Sequence, residues 1–303
     1  MTPLVIAVLA TVAGAFLLAW TWVPTGGRSL LRSAARKADL APPVHDGGEV
    51  VRRLQERTSA ATVGLVLGFW LAVAFVPPDP PLGEEFVTPV ALPLAIGAGF
   101  VGSAVAAAGY ALLAARRAPV FDAPRVARTR KVGFGDYVNG LERWGTVVAC
   151  LVPMAAGLVL AVVLANPDAA GIAPLSLGLL TLVPPALLVL SLAAGGAVLN
   201  ARRTVSSPEK LAWDDALRSQ SLRDILNLPM YAGLIATLWL GLEAALAIPD
   251  EQFALRAAAL WVVVAMGTLV AMTVVLLLSR PARHFRHRLW PVQQADARAG
   301  VRP

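Results

Sequence analysis

Apolar residues fall in seven long runs separated by polar, cation-rich segments. The runs cover residues 3–23, 60–76, 90–115, 144–165, 172–201, 229–248 and 257–279. About 20 helical residues, at ~1.5 Å rise each, cross the ~30 Å hydrocarbon layer of a bilayer. The pattern therefore predicts an all-α, polytopic membrane helix bundle with seven transmembrane helices. Residues 1–290 would form a single integral membrane domain, and the polar residues 291–303 a disordered cytoplasmic tail.

Lysine and arginine fall almost entirely on one side of the predicted spans. Segments 24–59, 116–143, 202–228 and 280–303 contain all of the 26 lysines and arginines except Arg256. Short loops that are rich in these residues remain in the cytoplasm. The amino terminus is therefore predicted to lie outside and the carboxyl terminus in the cytoplasm.

The composition agrees with a membrane protein and disfavours other classes. The 303 residues are 57% hydrophobic and 15% charged, with a mean hydropathy of +0.67, which is outside the usual range of soluble domains. The net charge of +7 does not indicate nucleic-acid binding, because the cations lie between apolar runs instead of on one soluble face. The high arginine and alanine content is typical of GC-rich bacterial genomes, so we expect a location in a bacterial plasma membrane.

Three predicted outer turns have similar sequences. Each contains a Pro-Asp step, at residues 78–79, 167–168 and 249–250, and this pair of residues favours a turn. Together with the basic inner ends, the turns indicate one leading span followed by three similar hairpins, and internal repeats of this kind occur in transporters. Alternatively, the likeness reflects only the polar turn and basic inner end that any membrane hairpin needs.

Polar segments before three of the spans are predicted to be helical. Ser207 and Pro208 provide an N-cap and a first helical residue, and we expect the helix that follows to run to Asn227 and to be broken by Pro229. Residues 134–144 place apolar side chains on one face. These segments either form a small cytoplasmic platform or remain solvated beside the membrane. Their mixed charges favour the solvated alternative.

Small residues recur four positions apart in the apolar runs, a spacing that lets helix backbones approach closely. The stripes are Gly64 and Gly68; Gly99, Ser103 and Ala107; Gly157 and Ala161; and Gly267 and Ala271. They predict a compact bundle, although an interface between two copies of the chain would use the same chemistry. Trp20, Trp22 and Trp144 are predicted to lie in the inner aromatic belt.

Glu243 is the only acidic or basic residue well inside a predicted span. It lies roughly 7 to 8 Å from the outer end of the sixth run at helical rise. An intramembrane carboxylate is a candidate for a transport or coupling role. In a purely structural alternative, Glu243 pairs with Arg256 across the outer turn, reaches headgroup water or is neutral.

Pro184 and Pro185 lie in the middle of the fifth run. Two prolines remove two backbone donors, so this span is predicted to kink or break. Broken spans in transporters expose carbonyl groups to ions, and Thr181 lies one turn away. The alternative is a static kink, because proline is common in membrane helices.

Charged residues of the inner segments form a candidate surface for a cytoplasmic partner or for lipid. They are Arg116, Arg117, Arg202, Arg203, Asp214, Asp215 and Arg218. His284 and His287 have a spacing that could bind metal, but the surrounding arginines favour an anionic-lipid-binding tail. We therefore predict no metal site.

The sequence contains no P-loop, zinc-ligand spacing, nucleophile elbow or dinucleotide-binding fingerprint. We expect no enzymatic activity and no cofactor. The leading hypothesis is a transport-related protein, either a small permease or the membrane subunit of a larger transporter. The alternative is a non-transporting scaffold or signalling component. Expected partners are the bilayer, anionic headgroups on its inner face, and either a cytoplasmic protein or a second copy of the chain, without nucleic acid.

Overall fold

The computed structural model describes residues 3–43, 47–75, 84–116, 132–164, 174–201, 207–246, 248, 256–257 and 284–290. These residues are almost entirely helical, and no strand occurs among them. The helices are α1 (Pro3–Trp22), α2 (Pro24–Ala38), α3 (Gly47–Phe75), α4 (Glu84–Arg116), α5 (Phe134–Tyr137), α6 (Gly140–Leu164), α7 (Pro174–Asn200), α8 (Pro208–Leu246) and α9 (His284–Leu289).

Five of these helices, α3, α4, α6, α7 and α8, are long and apolar enough to cross a membrane. The pair α1 and α2 adds a sixth candidate if it is counted as one span bent by 87°. The all-helical prediction with several candidate membrane spans is therefore confirmed. Apart from residue 257, the predicted span 257–279 lies outside the described residues, as does the tail 291–303. The count of seven and the orientation stay predictions.

Apolar side chains cover the outer surface of the bundle. Phe16 on α1, Leu158 on α6 and Val189 on α7 have exposed fractions of 69%, 59% and 67%. Soluble monomers rarely expose apolar surface on this scale. The surface is instead compatible with contact to lipid acyl chains.

The long helix α8 is at the centre of the packing. It packs against α4, α6 and α7, while α3 pairs with α4, and α1 and α2 pack on α3. More than half of the most apolar stretch of α8 is buried, against less than a third in each of the other four single-helix spans. The first half of α8, residues 208–227, is rich in charges, and the second half is apolar.

Glycines bring α3 and α4 into backbone contact. A methyl group built on Gly64 would lie 2.2 Å from the carbonyl oxygen of Gly102, and one on Gly68 would lie 2.2 Å from the carbonyl oxygen of Ala98. No side chain fits at such distances, so only glycine allows this approach. The close packing predicted from the Gly64 and Gly68 stripe is confirmed.

Two predicted helix interruptions are absent. Helix α8 runs from Pro208 to Leu246 through Pro229, so the predicted end at this proline is wrong. Helix α7 likewise continues through Pro184 and Pro185, so that span is not broken, and a kink there stays a prediction. Pro184 and Pro229 are fully buried, and packing on neighbouring helices holds the chain helical where a proline removes a donor.

Helix α2 also differs from the sequence prediction. It occupies a stretch that the sequence had indicated only as part of an inner loop.

The polar segments pack together at one end of the bundle. This polar layer comprises residues 47–59 of α3, α5, the first turn of α6, residues 208–227 of α8, and α9. Its interior contains Tyr137, Leu222 and Phe285, none of which exposes any surface. The predicted solvated arrangement is therefore wrong for these segments. Several of their charges pair across helices, which the pattern along one helix does not reveal.

Candidate functional site

Two adjacent residues of α8 form ion pairs with two different helices. Asp224 accepts hydrogen bonds at both carboxylate oxygens from the guanidinium group of Arg57 on α3. Arg223 donates from Nε to Glu142 Oε2 on α6 at 3.2 Å. The Asp224 side chain is only 6% exposed and that of Arg57 is 24% exposed. The first helix of each of the three predicted hairpins is thus connected at one level of the polar layer.

A cavity of about 310 Å³ lies beside these ion pairs, between α2, α3, α6 and α8. Its charged lining residues are Lys37, Arg57, Glu142, Arg223 and Asp224, and Gln220 and Asn227 contribute amide groups. Three cations and two anions give this lining a small positive excess. The cavity can therefore hold polar or anionic groups within the helical bundle.

A smaller cavity of about 190 Å³ lies between α3, α4, α7 and α8. The hydroxyl group of Tyr110, in its wall, donates to Glu56 Oε2 at 3.1 Å. Arg57, Trp213, Leu217 and Gln220 line both cavities. The Arg57–Asp224 ion pair therefore lies at the boundary between the two cavities.

Asp215 is the centre of a buried hydrogen-bond network. Its Oδ1 accepts from the Tyr137 hydroxyl at 2.8 Å, and its Oδ2 accepts from Trp290 Nε1 at 3.2 Å. Ser219, one turn later, donates to the carbonyl oxygen of Tyr137 at 3.0 Å. Asp215 and Ser219 expose no surface. These contacts fix α5 and the residue after α9 against α8.

Arg218 closes the end of α7. Its guanidinium group donates to the carbonyl oxygens of Val198, Leu199 and Ala201 at 3.0 to 3.3 Å, and to Asp214 Oδ2 at 2.9 Å. The last carbonyls of a helix lack partners within the helix, and a cation also complements the helix dipole there. Arg218 is 7% exposed, so its contacts lie within the bundle.

The candidate partner surface is only partly brought together. Asp214, Asp215 and Arg218 lie in the polar layer, where Asp215 and Arg218 are buried and Asp214 is half-buried. Arg116 is exposed at the last residue of α4. Arg117, Arg202 and Arg203 lie outside the described residues. His284, which was considered for the tail, contacts the carbonyl oxygen of Gly135 through Nε2 at 3.0 Å.

Glu243 lies on the apolar half of α8 and is half-buried. Its Oε1 accepts a hydrogen bond from the indole nitrogen of Trp239, one turn earlier, at 2.9 Å. Arg256 is described only with Ala257, in a short helical stretch. The ion pair between Glu243 and Arg256 stays a prediction.

Thr181 takes part in helix packing. Its hydroxyl group donates to the carbonyl oxygen of Leu177 at 2.7 Å. A methyl group on Gly157 of α6 would lie 2.0 Å from the Thr181 oxygen, so α6 and α7 approach closely here. Pro184 is buried one turn later and Pro185 is half-buried.

Sequence reasoning missed the residues that form the polar layer. Arg57, Glu142, Arg223 and Asp224 were read as members of solvated, mixed-charge faces. Their positions could have indicated that they are paired. Each lies within a few residues of an apolar run, where a charge needs a partner. Within the described part of the chain, no three histidine, cysteine or acidic side chains come together as metal ligands.

Comparison with protein-family models, with curated proteins and with solved structures finds no match to this chain. No relative therefore suggests a substrate or a partner.

Proposed function

We propose that this chain is a transport-related membrane protein, either a small permease or the membrane subunit of a larger transporter. In this proposal it crosses a bacterial plasma membrane seven times, with its amino terminus outside and its carboxyl terminus in the cytoplasm. It binds and conducts a solute without catalysing a reaction.

The observation that carries the proposal is the Arg57–Asp224 ion pair between two charge-lined cavities. Charges inside a helical bundle lose hydration, and this cost is offset only while they are paired or bound to polar groups. Transporters place their binding sites between groups of helices. Here α3 and α4 form one group, α6 and α7 form another, and α8 lies between them.

Opening of the ion pair would join the two cavities into one polar chamber. A solute with an anionic group could then replace Asp224 as the partner of Arg57, which makes pair opening and solute binding favour each other. Glu243 lies further along α8, in its apolar half. Under the proposed orientation, Arg57 and Asp224 form the inner closure and Glu243 lies near the outer end of the same helix.

A test that requires no known substrate measures access to the larger cavity. The Cys150→Ser change first removes the native thiol, and Asn227→Cys then introduces one thiol in the cavity wall. Sealed vesicles of each orientation are treated with a membrane-impermeant maleimide. Alternating access predicts that the thiol is labelled from the polar-layer side and that a measurable fraction of it is also labelled from the opposite side. Gly48→Cys, at an exposed position on α3, is the matched control and should react from one side only.

The second part of the labelling experiment breaks the Arg57–Asp224 ion pair. Arg57→Ala should raise the labelling rate of the Asn227→Cys thiol several-fold, because the pair no longer separates the cavities. Labelling confined to one side in both backgrounds would argue against a transport path. Purification from native membrane in mild detergent, with mass spectrometry, would then distinguish a subunit that copurifies with an ATPase from a permease that is purified alone.

A scaffold function is the second candidate, and the polar layer is the observation that favours it. This layer is held together by cross-helix contacts and leaves Arg116 and residues 208–210 of α8 exposed. A scaffold predicts that Arg116→Glu with Arg117→Glu releases a copurifying protein while the bundle stays folded. A partner that remains bound to this variant would contradict the scaffold function.

A further inference from the structure

Helix α2 turns sharply away from the apolar helix α1. The two helices meet at Val23 with an angle of 87° between their axes. Trp20 and Trp22, at the end of α1, are 47% and 54% exposed, and tryptophan at the end of an apolar helix is typical of the headgroup level. If α1 crosses the bilayer, α2 therefore runs along its surface.

The two faces of α2 differ in a way that fits this position. Gly26, Gly27, Ala35 and Ala38 are buried, and α2 packs on α3. Arg28, Arg32 and Arg36 are exposed and recur every four residues, about 6 Å apart along the helix. Among the described residues, no carboxylate pairs with these three arginines. A row of cations beside a membrane surface attracts anionic lipids, with about 1 kcal/mol per residue.

A groove on α2 contains two of these arginines. It has a volume of about 710 Å³, and its lining includes Thr25, Ser29, Arg32, Arg36 and Asp39. Asp39 has a left-handed backbone with a φ of 55°, which ends the helix, and residues 40–42 after it complete the lining of the groove. Its carboxylate is paired with Arg286 of α9 at 3.2 Å, so it does not neutralise the arginines.

We propose that the α2 groove binds the phosphate headgroup of an anionic phospholipid. Guanidinium groups make forked hydrogen bonds to phosphate oxygens, and the hydroxyl groups of Thr25 and Ser29 supply further donors in the same lining. The acyl chains would lie on the exposed apolar surface of α1. A lipid therefore fits both the groove and the helix that leads to it, whereas a soluble phosphate compound would use the groove alone. The inference does not depend on the transport proposal.

The experiment reconstitutes the full chain in nanodiscs that contain phosphatidylcholine with about 30% phosphatidylglycerol. The purified protein is then examined by native mass spectrometry for retained phosphatidylglycerol, and its apparent Kd is measured by titration with labelled phosphatidylglycerol. The test variant is Arg32→Gln with Arg36→Gln. The matched control is Arg52→Gln, which removes an exposed arginine of α3 that does not line the groove. Size-exclusion chromatography checks that both variants are folded.

We expect the double variant to bind phosphatidylglycerol at least tenfold more weakly, because two phosphate-binding cations are lost. The control should keep the affinity of the unchanged chain. An unchanged Kd in the double variant would overturn the proposal, and so would an equal loss in the control, which would indicate a general charge effect. Displacement of the labelled lipid by millimolar inorganic phosphate would also overturn it, because the site would then recognise a soluble phosphate compound.

Discussion

The phenolic hydroxyl of Tyr137 donates a 2.8 Å hydrogen bond to Oδ1 of Asp215, and neither residue exposes any surface. These residues are 78 positions apart in the chain. The bond joins the short helix α5 to the first half of α8. A buried polar pair of this kind stabilises the fold only while both members are present.

Asp215→Ala is expected to destabilise the polar layer strongly. The change removes an acceptor that serves both the Tyr137 hydroxyl and the Trp290 indole nitrogen, and loss of a buried hydrogen-bond partner costs about 1–3 kcal/mol. Thermal unfolding of the purified protein in detergent should show a loss of about 3 kcal/mol. Tyr137→Phe should lose about 1 kcal/mol. The control is Glu49→Gln, which breaks an exposed pair with Arg53 and should cost less than about 0.5 kcal/mol.

Reversal of the Arg57–Asp224 pair should be partly compensated when both charges are exchanged. Arg57→Asp or Asp224→Arg alone places two like charges at a largely buried site, and breaking a buried pair costs about 3 kcal/mol or more. The double exchange restores opposite charges, so its unfolding free energy should exceed that of either single variant. A double-mutant cycle measures the coupling. Additive losses would show that the two residues do not interact in the folded protein.

Gly102→Ala should destabilise the packing of α3 on α4. A methyl group at this position would lie 2.1 Å from the carbonyl oxygen of Gly64, and forced overpacking costs about 1–3 kcal/mol. Gly109→Ala is the matched control on the same helix, because nothing lies within 4 Å of its added methyl group. Alanine there should be neutral or stabilising by up to about 1 kcal/mol. Equal effects of the two changes on thermal unfolding would contradict the close helix approach.

Glu243→Gln separates transport from a structural role. The amide keeps an oxygen that can accept the hydrogen bond from Trp239 and removes the charge, so the variant should remain folded with little change in thermal stability. If Glu243 couples to a transported solute, flux in reconstituted vesicles should fall at least tenfold once a substrate has been identified. Retained flux in a well-folded variant would remove this residue from the mechanism.

The long apolar helices were predictable because a long apolar run is a property of local sequence. The close approach of α3 and α4 was also predictable, since the four-residue spacing of Gly64 and Gly68 places both on one side of a helix. Helix α2 was missed although its sequence carries the signal of an amphipathic helix. Leu30, Leu31, Ala34, Ala35 and Ala38 recur at helical spacing and alternate with the basic residues 28, 32, 36 and 37, which is the pattern of a helix with one apolar face.

The candidate site was harder to predict than the fold. Arg57 and Asp224 are 167 positions apart, and one sequence gives no information on which distant charges meet. Both residues resemble members of solvated faces until the helices are packed. The helix end predicted at Pro229 was wrong for a different reason. The local preference of proline to end a helix is outweighed there by burial in the centre of the bundle.

Helix α8 has a mechanical consequence that follows from its continuity. Its 39 residues form one rod about 58 Å long at ~1.5 Å per residue, roughly twice the hydrocarbon thickness of a bilayer. Asp224 and Glu243 lie on this rod about 28 Å apart, with no loop between them. The two residues are therefore connected by one continuous helix that passes through Pro229. A displacement of the polar layer along the α8 axis would therefore be carried into the apolar half of the same helix without crossing a loop.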